Sequence, residues 1–491
     1  MKNAIKFILF LFCLTTFIGQ ADAFNETIPC NLEPVETETR LIEGSNRFNQ
    51  NRHAKKNNSQ NFALQSKAKT PRAKAEWTII ILVQASNNLE SFAHKNMKEM
   101  MRWGSSARVN LLVDLHKTGD KSWKYRIEQG CCVIEEVSAR TTKSTIAEEV
   151  VHTANWAVTN YPAEHYAFIF WNHGYGCLDP VQERNRPAYL RNMNNNWRTG
   201  YLTGNPEEEL SRATKNSIPT DRSILFDDER HTYLSNEELR NTLQTISTKL
   251  LGGKKIDLIG MDACLMGMIE VADQLKDFAN YFVASEEFEF AQGWPYGDII
   301  ERLSTKQTSA KDLGKIIVEA YEQYYLSRTS YFTQSCVDLS KITTIKEHID
   351  NLVTLLMTAK KQDPQRMKTF IQQAKFQALS FSLSDYIDLQ SFYQELLKNV
   401  NCVLDNQSNR NIAIPRIDTE LLRKIKTSLT DGLAAIKSTI TINTAGRYLA
   451  RASGMSIYFP QRSIDSSYGT NEFAKTTLWP VLIADQIENR Y

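Results

Sequence analysis

The chain has 491 residues, enough for a large core and more than one folding unit. Its 42% hydrophobic and 23% charged residues are ordinary for a globular protein and exclude a fibrous or low-complexity chain. A net charge of +2, with no basic stripe interleaved with aromatics, argues against nucleic acid or a membrane surface as partner.

Lys2 and Lys6 precede an apolar run from Phe7 to Ile18, and Ala21-Asp22-Ala23 has the small-x-small form that signal peptidase reads. The run is short for a bilayer span, so residues 1–23 read as a cleaved signal peptide. The mature protein is therefore expected outside the cytoplasm, secreted or periplasmic, with no membrane span. Residues 24–75 differ from the rest: from Asn46 to Ala75 there are eight Lys or Arg and no Asp or Glu. Such a segment buries too little apolar surface to offset chain entropy, and it reads as a disordered, removable pro-segment.

Order begins at Trp77. The β-branched run Thr78 to Val83 suits a strand buried on both faces. Asn87-Asn88 offers cap chemistry for a helix carrying Leu89, Phe92, Ala93, Met97, Met100 and Met101 on one side. Further strands are expected at Val109–Val113, Tyr166–Trp171 and Ile256–Met261, a hairpin at 123–137, and helices opened by the boxes Thr145-x-x-Glu148 and Ser235-x-x-Glu238. Leu265, Ile269, Ala272 and Leu275 mark another helix. Alternating strands and helices imply a mostly parallel sheet covered on both faces. A polar stretch at about 177–223 reads as a surface insertion in a domain spanning 77–304. Beyond it, residues 305–491 form a helix-rich region, with helices at 310–326, 345–361, 364–378 and 420–438 and strand-like pieces at 331–339 and 454–459.

Eight cysteines are present, at 13, 30, 131, 132, 177, 264, 336 and 402. Adjacent Cys131 and Cys132 in a strand point to opposite faces and are not a redox pair. Cys264 follows the strand ending at Met261, and His173 follows the strand ending at Trp171. Both fall at carboxyl ends of strands, where open α/β sheets gather ligands. An imidazole near a thiol can take its proton and later give it to a leaving amine, and a helix starting just after Cys264 would favour the thiolate. The backbone amides of Gly174 and Cys264 could form an oxyanion hole.

The run Leu258 to Gly267 with Glu270-Val271-Ala272 resembles the nucleophile motif of clostripain-family cysteine peptidases, and Trp171-Asn172-His173-Gly174 resembles that family's histidine motif. Similar flanks occur at Trp77–Leu89, Leu234–Leu239, Ala284–Glu287, Gly293–Tyr296, Val337–Lys341 and Gly454–Pro460, so the resemblance covers most of residues 77–491. It implies a caspase-like α/β/α sandwich and a Cys-His dyad, Cys264 and His173, that needs no cofactor. It also implies protein or peptide substrates cut after Arg or Lys, self-cleavage between the dyad residues, and often calcium as an activator. A buried guanidinium needs a carboxylate. Asp262 matches the family's acidic specificity residue, with Ser285 and Glu286, Glu287 or Glu289 expected to complete the pocket. Asp227 and Asp228 offer carboxylates for calcium, without EF-hand spacing. Three rivals remain: a catalytically silent binding protein, an exported interaction protein whose Cys264 is bridged, and a gingipain-type peptidase.

Overall fold

The structure, a computed structural model, describes residues 72–140, 144–180, 223–406 and 417–488. The signal peptide, the pro-segment up to residue 71 and residues 181–222 of the insertion lie outside the described residues.

The apolar run after Trp77 forms β1 (Ala75–Ala85), buried along nearly its whole length. It can be covered on both faces because it sits mid-sheet, between β2 (Val109–Lys117) and β5 (Ala163–Trp171), parallel to both. Next to β5 comes β6 (Ile256–Asp262) and then β7 (Ala279–Ala284), again parallel. Antiparallel strands close both edges: β3 (Lys121–Glu128) and β4 (Cys131–Ala139) beyond β2, β8 (Thr333–Asp338) and β10 (Ile440–Ala445) beyond β7. The nine-stranded order is β10-β8-β7-β6-β5-β1-β2-β3-β4. The chain steps one way from β1 to β2 and the other way from β5 to β7, so strand order reverses between β1 and β5. A crevice opens at the carboxyl ends of strands flanking such a switch.

Helices cover both faces. On one lie α1 (Glu90–Met100), α5 (Tyr296–Thr305) and α6 (Ala310–Tyr325), with Met97 and Met100 in the core. On the other lie α2 (Ile146–Asn160), α3 (Asn236–Thr245) and the short α4 (Ile269–Leu275). Ile80, Leu82, Phe168, Phe170 and Met261 turn toward that second layer and form one cluster with Val150, Leu239 and Leu275. The openings of α2 and α3 are reciprocal: Thr145 and Ser235 accept from the amides of Glu148 and Glu238, whose carboxylates accept in return. Each such cap contributes about 1 kcal/mol.

Beyond residue 305 the chain returns to the sheet as β8 and β10 and builds α7 (Ile342–Gln362), α8 (Pro364–Gln377), α9 (Leu389–Asn406) and α10 (Thr419–Thr439). These pack in succession, and α7 abuts α4. A small antiparallel pair, β9 (Tyr386–Asp388) and β11 (Ser456–Tyr458), reaches the site through the Ser456 amide, which donates to the Gly267 carbonyl at 2.9 Å. The sheet is thus the mostly parallel, doubly covered one expected, with a helix-rich carboxyl-terminal part.

Candidate active site

In the pairing of β5 with β6, Trp171 stands opposite Asp262. His173 and Cys264 each lie two residues past that pair, so they leave the sheet side by side. Both are buried, at 7% and 6% exposure. The two loops touch at Gly174, where a Cβ would lie 2.3 Å from the Cys264 carbonyl oxygen, so only glycine fits. Asn172 braces the histidine loop, accepting from the His173 amide and, at 3.1 Å, from the Phe226 amide. The imidazole Nε2 lies 3.1 Å from Asn88 Oδ1. Cys264 Sγ accepts from the Glu289 amide at 3.3 Å.

No helix starts at Cys264. Leu265 takes a left-handed φ of +64°, and the amides of Leu265 and Gly267 are taken by the carbonyls of Glu287 and Ser285. The helix, α4, begins only at Ile269, so its dipole does not act on the thiol. Burial pushes the Cys264 thiol well above its usual range, and the nearby Glu289, Glu287 and Asp262 carboxyls push the same way. In this conformation the sulfur is a neutral thiol, contrary to the thiolate expected from the sequence. Among the described residues the sulfur has no disulfide partner.

Beside Cys264 lies a narrow crevice of about 10 Å³, lined by Leu89, Trp171, Asp262, Glu289, Phe290 and Gly293 among others. Its polar heart is a pair of hydrogen-bonded carboxyls, Asp262 and Glu289. Asp262 also accepts from the Trp294 amide at 3.1 Å and the Tyr296 hydroxyl at 2.8 Å. Gly293, at φ +64°, lets its backbone run against the carboxylate, where a Cβ would come within 2.7 Å of Oδ2. Glu289 Oε1 accepts from Gln334 Nε2 at 3.0 Å and from Trp294 Nε1 at 3.4 Å. Burial raises Asp262 to about 6, held back in part by its hydrogen bond with Glu289, and raises Glu289 well above its ordinary range, with Asp262 pushing the same way. The groups acting most strongly on the pair are neutral donors and each other, none of them a cation.

Glu289 is therefore the acid that meets Asp262; Ser285, Glu286 and Glu287 serve elsewhere. The Ser285 hydroxyl ties the turn to Glu287 and Thr333. Glu286 accepts from the Gly454 amide, and Glu287 from the amides of Phe288 and Ser382. None of these three lines the crevice. Asp227 does not fit a calcium ligand: its carboxylate is fully buried and paired with both Arg140 and Arg230. Asp228 is fixed through its amide to the Ser86 carbonyl. Among the described residues no group of three or more His, Cys, Asp or Glu is arranged to hold a metal ion.

A family profile described as the clostripain family matches residues 81–197 and 211–485. The chain belongs to the clostripain family. It is accordingly a cysteine-type peptidase. This clostripain-family chain is similar in fold to a secreted C11 cysteine protease from Bacteroides thetaiotaomicron, with 15% identity, a TM-score of 0.55, and coverage of 83% of this chain and 100% of that one. It is also similar to an inactive zymogen C11 protease from Parabacteroides distasonis, with 18% identity, a TM-score of 0.52, and coverage of 83% and 99%. No curated protein matches its sequence. Asn88 neighbours the histidine although nothing in its spacing marks it as such. The turn Gly293–Tyr296, a flank in the sequence, holds Asp262 in place.

Proposed function

We propose that this peptidase cuts peptide bonds after Arg or Lys, using Cys264 as nucleophile and His173 as proton carrier. The observation that carries the specificity is the buried Asp262–Glu289 pair beside the sulfur, with no cation among its strongest neighbours. Two acids in one dry space cannot both ionise, so they hold a proton that an entering guanidinium or ammonium displaces. The substrate's charge then takes the place of that proton, and its carbonyl comes to rest near Cys264 Sγ.

In the reaction, His173 takes the thiol proton as sulfur attacks the carbonyl carbon. The backbone amides of Gly174 and Cys264 stabilise the oxyanion, and the imidazolium returns the proton to the leaving amine. Water then hydrolyses the thioester with His173 as base. The chemistry asks for no cofactor.

A crevice of about 10 Å³ has room for about one water and none for a guanidinium. The present form is therefore read as a precursor that must open. Cutting itself in 181–222, which holds Arg184, Arg186, Arg191, Arg198, Arg212, Lys215 and Arg222, is the proposed route. The flanks would stay anchored after the cut, because Leu178 and Ile224 are buried and Asp179 accepts from the Asn236 amide. Export by the Lys2–Ala23 leader completes the proposal, in keeping with the secreted relative.

The test is turnover of small substrates with Arg, Lys or an uncharged residue before the scissile bond. Cys264→Ala should abolish turnover and self-cutting, and the basic substrates should be preferred at least a hundredfold. Equal rates on uncharged substrates would remove the specificity, and turnover by Cys264→Ala would remove the nucleophile.

A further inference from the structure

We infer that Asn88 is a positioning residue for His173, fixing its imidazole in the tautomer that leaves Nδ1 free of a proton. This deepens the dyad reading above and rests on it. Nε2 stands 3.1 Å from Asn88 Oδ1. An amide oxygen only accepts, so Nε2 carries the hydrogen, and the single lone pair of the neutral ring sits on Nδ1. The same contact stabilises the imidazolium formed when Nδ1 takes the thiol proton, because Nε2 keeps its acceptor throughout.

The fold brings Asn88 there deliberately. β1 and β5 are parallel neighbours with Val83 opposite Trp171, so the loop after β1 overhangs the loop after β5. That loop is pinned on both sides of Asn88. The Asn172 amide group donates to the Gln84 carbonyl, and Asn87 donates to the Phe226 carbonyl at 3.3 Å while accepting from the Leu89 amide at 2.9 Å. α1 begins at Glu90, and Leu89 stands at its capping position.

The test compares Asn88→Ala and Asn88→Asp with the unsubstituted full-length protein on a small Arg substrate. Asn88→Ala should lower kcat about ten- to hundredfold, the cost of a mis-set catalytic group, with KM within about twofold. Asn88→Asp should restore kcat to within about tenfold and move the acidic limb of the pH profile upward by about one unit, because a carboxylate at Nε2 favours the imidazolium while the reaction needs the neutral ring. Unchanged kcat and pH limbs in both variants overturn the inference. So does a loss of activity that only follows a fall in melting temperature, with the limbs in place. Should Asn88→Ala not fold, Asn88→Asp alone decides, since only a group facing the ring moves that limb. His173→Ala separates the layers: if it stays active the dyad reading fails, whereas inert Asn88 substitutions beside a dead His173→Ala sink only the present inference.

Discussion

Gly174 and Cys264 meet so closely that the glycine's missing side chain is part of the site: a Cβ would lie 2.3 Å from the Cys264 carbonyl oxygen and 3.0 Å from Met266 Cγ. The first contact is with backbone, which cannot swing aside, so one of the two loops must shift. Gly174→Ala should therefore cut kcat by about a hundredfold or more, as expected for a displacement near 1 Å. The stability cost should be only about 1–3 kcal/mol, typical of local overpacking. Turnover and urea midpoint measured on the same preparation check this; full activity would mean the loops are not held in contact.

Glu289 and Asp262 face the same enclosed space, and removing the charge of Glu289 should weaken only substrates that bring a cation. For Glu289→Gln, kcat/KM on an Arg substrate should fall by about 2–5 kcal/mol, a factor of roughly 30 to several thousand, the usual cost of truncating a buried charge pair. Rates on an uncharged substrate should stay within a few-fold. Glu286→Gln should leave this ratio unaltered, since Glu286 is bound to the Gly454 amide away from the crevice. A shift in selectivity from Glu286→Gln would reassign the second acid.

Much of this arrangement is legible in the residues themselves. The β-branched run after Trp77, the Thr145 and Ser235 boxes and the strand-ending motifs at His173 and Cys264 are local signals, and the sheet follows from them. Less legible are features decided by distant partners. Leu265 follows helical spacing, yet its amide is captured by the Glu287 carbonyl, which turns the expected helix start into a loop. The choice among three glutamates within five positions depends on which one the Phe290–Tyr296 turn folds back toward Asp262, information that spacing does not contain. Asn88 looks like a cap because caps and histidine partners use the same amide chemistry. β7, β9, β10, α5 and α9 carry no clear local signal, because their apolar patterns are short or depend on packing between segments far apart in the chain.

The acid pair also sets how a basic inhibitor should respond to pH. Burial raises Asp262 to about 6 and Glu289 well above its ordinary range, so at low pH the pair is neutral and it gains negative charge as pH rises. A guanidinium keeps its charge throughout this window. Competitive inhibition by agmatine should therefore tighten as pH rises through about 6, by at most about tenfold per unit below it. Measured inhibition constants between pH 5 and 8 check the sign; weaker binding toward higher pH would contradict the assignment.

Asp227 separates an ion pair from a metal site. Its carboxylate is fully buried against Arg140 and Arg230, whose side chains are 2% and 11% exposed. Asp227→Asn should cost about 1–3 kcal/mol, because a charged bond is lost while Arg140 keeps Glu229 and Arg230 keeps Glu149. The loss should be the same in calcium and in chelator. A stabilisation by calcium that vanishes in Asp227→Asn would make this residue a ligand after all.

Glu286 supplies the last expectation, on stability. It is buried, donates to Asp388 in its protonated form, and is pushed well above its ordinary value of 4.5 by burial and by the Asp388 charge. The sign follows from proton counting. With the folded value above the unfolded one, the native chain holds a proton that the unfolded chain has already lost once pH passes about 4.5. Stability from this group is therefore complete below 4.5 and drains away as pH rises toward the folded value, by at most about 1.4 kcal/mol per unit. Asp388 also accepts from the Ser453 amide at 2.7 Å, so repulsion within the pair would loosen the loop that places Gly454 on Glu286. Glu286→Gln keeps a donor for Asp388 and an acceptor for Gly454 but cannot ionise. Urea midpoints from pH 5 to 8 should thus fall less steeply in Glu286→Gln than in the unsubstituted protein, with the two curves close at pH 5. Parallel curves would mean that Glu286 does not hold its proton in the folded state.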